Sequence, residues 1–130
     1  MRTSSFGKKE KLKSRKALAL LFKEGRSLNN PPLRMLWIRA EQIGPPSVKI
    51  AVAVPKRNFR KAVDRNTLKR RMREAYRRNK NLLHPQESDA SSGLNILFLY
   101  TGKDLASYRE LEEKIRELLS RLFKVTSEKS

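Results

Sequence analysis

The sequence predicts an α+β sandwich, one sheet with helices mainly on one of its faces, and two observations carry that prediction. Apolar residues alternate strictly in one stretch, Val48, Ile50, Val52 and Val54 against Ser47, Lys49, Ala51 and Ala53, which is the period of a strand with two different faces. They recur at helical spacing in two others, residues 63–79 and the stretch after Ser107. Interleaved strands and helices of this kind pack as one sheet against a helical layer.

The elements follow in order. Residues 1–10 are basic and read as a flexible arm. Residues 14–24 form the first helix, with Ser14 as N-cap and Gly25 placed for a left-handed C-cap. Leu18, Leu21 and Phe22 share one of its faces. Asn29-Asn30-Pro31-Pro32 breaks the chain, with a short extra strand possible at residues 26–28. Residues 33–40 (LRMLWIRA) are a strand apolar on both sides, with Arg34 and Arg39 reaching water. Gly44-Pro45-Pro46 turns the chain into the strand 47–54, whose small, polar side suggests an open sheet face. Pro55 ends that strand. A basic loop, 56–61, then leads into a long helix over 63–79, with Asp64 near its positive end. Residues 84–93 are a polar loop, where the lone His84 has no partner at ligand spacing. Residues 94–100 (LNILFLY) are a buried strand. Ser107 and Glu110 form a capping box for a last helix that buries Leu111, Ile115, Leu118, Leu119 and Leu122. Residues 125–130 are expected to fray. The whole is read as one domain, 1–130, with its core over about 10–123.

Charge decides the class of function. The 130 residues carry a formal net charge of +18, with no cysteine. Between Lys56 and Lys80, twelve bases face two acids, Asp64 and Glu74. On a helix, Leu68, Met72, Ala75 and Tyr76 fall within about 100° of one another. Asn66, Lys69, Arg70, Arg73 and Arg77 occupy a separate arc at roughly 100–200° from Leu68. One face enters a core and the other presents a cationic stripe, an arrangement that suits a polyanion. The absence of cysteine excludes disulfides and thiolate metal sites and fits a reducing, cytoplasmic setting. No run approaches a membrane span. There is no glycine-rich phosphate loop and no nucleophile set beside a base. The glutamates Glu110, Glu112, Glu113 and Glu117 read as surface acids paired with Lys114, Arg116 and Arg121. A small-molecule substrate is therefore not expected, and a nucleic acid is.

Residues 63–76, VDRNTLKRRMREAY, resemble the "RNR" signature of the bacterial ribonuclease P protein family. Residues 12–25, ending in LFKEG, are similar to that family's first helix. Residues 52–56 resemble its Val-x-Ser-Lys-Lys strand end, and residues 94–108 its late strand and Ser-Tyr helix start. The resemblance implies a ribosomal S5 domain 2-like fold: a central, mostly antiparallel sheet of about four strands, three helices and a left-handed βαβ crossover. It implies no catalytic residue in this chain and no metal held by the protein alone. The chemistry belongs to a catalytic RNA with bound Mg²⁺, and the reaction removes the 5′ leader of precursor tRNA. The resemblance places Lys56, Arg57, Arg60, Lys61, Arg65, Asn66, Lys69, Arg70, Arg73 and Arg77 against the catalytic RNA. It places Leu18, Phe22, Leu36, Trp37 and Lys49 in a cleft for the leader. Five departures stand out, one of them a loop at 58–61 that is one residue longer than the usual glycine-containing one. Thr67 replaces the second arginine of the signature, with Arg71 a neighbouring candidate for the missing charge. Leu18 stands where an aromatic is usual, Leu36 or Trp37 where a tyrosine is, and Pro55 where a serine is.

Two other classes compete on residues alone. A structural ribosomal-RNA-binding protein would share this composition, and co-purification with ribosomal subunits would distinguish it. A helix-turn-helix DNA binder fits poorly, because the long helix sits between strands with no short partner helix before it.

Overall fold

The computed structural model describes residues 12, 14–40, 48–83 and 93–127. The order is α1 (Arg15–Glu24), β1 (Arg26–Asn30), β2 (Leu33–Arg39), β3 (Val48–Ala53), α2 (Ala62–Asn79), a 3-10 turn (Lys80–Leu83), β4 (Leu94–Tyr100) and α3 (Tyr108–Ser127). The four strands form one sheet in the order β1-β2-β4-β3. Two of its pairings are antiparallel, β1 with β2 and β2 with β4, and β3 lies parallel to β4. A parallel pair cannot be joined by a hairpin, so the chain crosses over through α2.

Strand periodicity splits the sheet into two faces. Leu33, Met35 and Trp37 of β2 join Val48 and Ile50 of β3 and Leu94, Ile96, Phe98 and Tyr100 of β4 under α2 and α3. Those helices bring Leu68, Met72, Ala75, Tyr76, Leu111, Ile115, Leu118, Leu119 and Leu122, which complete the main core. The expected alternation in β3 and the expected helical stripes are thus both realised.

The other face is not bare, as its small side chains suggested. There Leu21 of α1 is fully buried with Leu12, Leu36 and Leu97, and Leu18, Ala51 and Ala53 pack at the margin. The alanines are small because a helix sits near them. Leu12 also donates its N–H to Ile50 O at 2.7 Å, covering the outer edge of β3.

Three boundaries differ from the sequence reading. β1 is a full strand through Asn29 and Asn30, and only Pro31-Pro32 forms the turn. Asn30 tolerates the strand because its Nδ2 donates to Glu117 Oε1 at 2.7 Å and to Lys114 O at 3.2 Å. α3 continues through Val125 to Ser127, where Thr126 is buried and its hydroxyl donates to Leu122 O at 2.9 Å. Gly25 is extended, at φ −68° and ψ 153°, and does not adopt the left-handed cap. It is glycine for another reason: a Cβ there would stand 2.4 Å from Leu21 O, which accepts the Gly25 N–H at 2.9 Å. The two caps otherwise hold, with Ser14 Oγ accepting from Ala17 N and Ser107 Oγ from Glu110 N, each at 3.2 Å. The basic arm, residues 1–10, and His84 lie outside the described residues.

Candidate nucleic-acid interface

The basic loop and α2 form one continuous cationic ridge. The loop is held from beneath. Phe59 is buried and meets Tyr100 edge-on, with ring centres 5.6 Å apart, and Asn58 Nδ2 donates to Gly102 O at 3.4 Å. Two turn bonds, Asn58 N to Pro55 O at 3.3 Å and Phe59 N to Lys56 O at 3.2 Å, tighten it. With Phe59 turned inward, Lys56, Arg57, Arg60 and Lys61 are all exposed. Burying one aromatic thus fixes four cations.

Tyr100 organises the support. Its hydroxyl donates to Asp104 O and accepts from Ala106 N at 3.1 Å. Burial pushes this phenol above its ordinary range, against the opposing effect of the Ala106 N–H. The group is a structural strut and not an acid or base.

On α2, Leu68, Met72, Ala75 and Tyr76 have no exposure at all. The opposite arc carries Asn66 and Arg70, both exposed, and Lys69 and Arg73, both half-buried. Lys69, Arg70 and Arg73 have no hydrogen-bonding or ionic partner among the described residues.

Two arginines expected to meet the catalytic RNA, Arg65 from the resemblance and Arg77 from the stripe, bond instead to groups of the protein itself. Arg65 Nη1 donates to Phe59 O at 2.7 Å and to Arg60 O at 3.0 Å. It lies at about 60° on the helix, near the core arc and not the outward one, so it braces the loop. Arg77 pairs with Glu74 through both carboxylate oxygens, and Arg78 approaches the same carboxylate at 3.3 Å. The Arg77 hydrogen bond is the chief reason that the Glu74 carboxyl titrates below its usual value, and Glu74 in turn raises Arg77.

Arg71 does not supply the charge missing at Thr67. Its Nη1 donates to Ala106 O at 2.6 Å, on the inner side of α2. The Thr67 hydroxyl donates to Val63 O at 2.9 Å, within its own helix. This turn of the ridge therefore carries one cation fewer.

The second candidate surface is the face under α1. Register places Ala53 with Leu99 and Arg34, Ala51 with Leu97 and Leu36, and Lys49 with Asn95 and Ile38. Leu36 is buried, and Leu18 and Lys49 are half-buried on this face. Phe22 stands out at 59% exposed, a large aromatic left in solvent. Trp37 does not join them. One residue along from Leu36, it points to the other face and into the main core, 4% exposed. Alternation along β2 puts the two on opposite sides, so they could not both line one cleft.

Sequence reasoning missed Arg26 and its relation to Trp37. The hairpin pairs these two residues, and the Arg26 guanidinium lies 5.9 Å from the centre of the indole. Placing the turn at Pro31-Pro32 would have fixed that register.

Among the described residues no group of three or more acids, histidines or cysteines could hold a metal ion. Guanidinium and ammonium groups line the ridge, and they repel a divalent cation. No helix among the described residues is long and apolar enough to cross a membrane.

Comparison with known proteins points to one family. The family model described as Ribonuclease P matches residues 6–123. A ribonuclease P protein component of Porphyromonas gingivalis is 32% identical over 120 residues, covering 92% of this chain and 88% of its own. That of Thermotoga maritima is 33% identical over 125 residues, covering 92% and 97%. The solved RNase P protein of Thermotoga maritima superposes with a TM-score of 0.68 at 29% identity, covering 86% of this chain and 96% of that one. The Staphylococcus aureus RNase P protein shares the fold, with a TM-score of 0.70 at 17% identity, over 87% of this chain and 94% of that one.

Proposed function

The chain belongs to the ribonuclease P protein family, and from that membership and the geometry of α2 we propose that it is the protein subunit that assists a catalytic RNA in removing the 5′ leader of precursor tRNA. The single observation that carries this reading is the outward arc of α2. Lys69, Arg70 and Arg73 have no partner there among the described residues, directly behind a fully buried apolar stripe.

The ridge binds the catalytic RNA through its phosphates. Each guanidinium or ammonium that meets a phosphate releases condensed counterions, and affinity follows. Lys56, Arg57, Arg60 and Lys61 extend that contact along the loop, and Asn66 adds an amide donor at its start. The face under α1 holds the single-stranded leader, with Phe22 as the stacking surface and Lys49 as the phosphate contact. Leu18 and Leu36 shape the floor beneath them.

Two RNAs brought together repel each other. A protein of net charge +18 placed between them offsets that repulsion and fixes the leader against the catalytic RNA, which lowers the entropic cost of a productive encounter. Mg²⁺ held by the RNA supplies the polarisation and the activated water of phosphodiester hydrolysis. This chain holds no ion and moves no proton in the reaction. By positioning phosphates it raises the affinity of the assembly for both substrate and metal. The setting is the cytoplasm.

The experiment is multiple-turnover cleavage of precursor tRNA by the matched catalytic RNA at low Mg²⁺, with and without the protein. Stimulation is the expected result, and its absence rejects the reading.

A further inference from the structure

Arg65 takes up three successive carbonyls at the entrance to α2. Its Nη1 donates to Phe59 O at 2.7 Å and to Arg60 O at 3.0 Å, and its backbone N–H donates to Lys61 O at 3.3 Å. The junction has no ordinary cap. Lys61 occupies the N-cap position, extended at φ −77° and ψ 125°, and its side chain bonds to no N–H of the first turn. A short polar side chain would normally fix the chain's entry there. Arg65 fixes it from one turn inside the helix. What it fixes is the backbone of the loop, and the loop cations depend on that backbone alone. Lys56, Arg57, Arg60 and Lys61 are exposed, and none of their side chains has a hydrogen-bonding or ionic partner among the described residues. Phe59 against Tyr100, and Asn58 Nδ2 on Gly102 O, anchor the middle of the loop. Arg65 anchors its exit.

We propose that Arg65 is a positioning residue of the interface: it sets the loop backbone from which Lys56, Arg57, Arg60 and Lys61 meet the catalytic RNA, and its own guanidinium meets no phosphate. The inference rests on the function proposed above and deepens it, since the resemblance implies a direct contact by Arg65. Two features favour the indirect role. Both hydrogens of Nη1 go to carbonyls of the loop, and a phosphate drawing that group away would release the loop it holds. Arg65 is also half-buried, whereas Asn66 and Arg70 on the outward arc are exposed. Cations presented on a fixed backbone lose less freedom on binding than cations on a loose one. A lysine carries the same charge, but its ammonium ends one bond short of Nη1 and lacks the planar fork.

The test uses the full chain and the matched catalytic RNA, with filter binding over a salt series. Arg65→Ala and Arg65→Lys both lower the log–log slope by at least ~1.4, the equivalent of two phosphate contacts. Arg60→Ala alone lowers it by up to ~0.7–0.9, and by clearly less when added to Arg65→Ala, because residues acting through one backbone are not additive. Arg65→Lys keeps the charge and most of the stem, and it carries the test where Arg65→Ala unfolds. NMR of the free protein reads the brace without RNA. Backbone order parameters over residues 57–61 fall from about 0.85 toward ~0.6 in both Arg65 variants and stay at the wild-type level in Arg70→Ala. A one-contact loss of slope that Arg65→Lys restores, and that adds fully to the loss from Arg60→Ala, overturns the proposal. An unchanged slope or unchanged order parameters in the Arg65 variants overturns it as well. A wild-type chain that does not bind the catalytic RNA overturns the proposed function itself, and the order parameters then still decide whether Arg65 holds the loop.

Discussion

Glu74 holds Arg77 through both of its carboxylate oxygens, while Arg73, one residue before Glu74, has no acidic partner among the described residues. One acid therefore divides the ridge into a free part and a neutralised part. Replacing it should join them. Glu74→Gln is expected to strengthen binding to the catalytic RNA and to steepen its salt dependence by up to ~0.7–0.9 in log–log slope for one added phosphate contact. Filter binding over a salt series reads this. The sign of the pH effect follows from the lowered carboxyl: the pair stabilises the fold above the ordinary value of 4.5 and loses that contribution as pH falls below it. The stabilities of wild type and Glu74→Gln should converge in that acidic range.

Arg71 is a structural arginine. Its bond to Ala106 O ties α2 to the loop before α3. Arg71→Ala should lower stability by about 1–2 kcal/mol, as expected for losing a charged donor to a buried carbonyl, while leaving the salt slope of RNA binding unchanged. Denaturant unfolding alongside a binding series separates the two effects.

Gly25 is fixed by close approach. Gly25→Ala would drive a Cβ into Leu21 O, and backbone atoms cannot step aside as a side-chain tip can. A loss of roughly 1–3 kcal/mol is expected, measured by thermal unfolding. An unchanged melting temperature would mean that α1 can shift on the sheet.

Phe22 is exposed, so Phe22→Ala should leave stability nearly untouched. Affinity for precursor tRNA should fall by about 1–3 kcal/mol, the size of one stacking contact, and affinity for catalytic RNA should hold. The reverse ordering in a paired binding experiment would move the leader elsewhere.

Periodicity made most of the fold legible. Val48 to Val54 announced a two-faced strand, and Leu68, Met72, Ala75 and Tyr76 announced the buried side of α2, because local sequence spacing dictates which side chains share a face. What depended on distant partners was less legible. Nothing near Arg65 shows that Phe59 O will accept its proton, and nothing near Trp37 shows which face α3 will cover. The small residues Ala51 and Ala53 suggested an open face, yet small side chains also suit a helix packed close above them. Only the tertiary placement of Leu21 distinguishes the two.

The central claim is that the free cations of α2 meet RNA phosphates, and the salt dependence of catalytic-RNA binding tests it most directly. With Lys69, Arg70 and Arg73 all changed to alanine in a protein of unchanged circular dichroism, the log–log slope should shrink by roughly 2–3. A slope equal to that of the wild type would contradict the account.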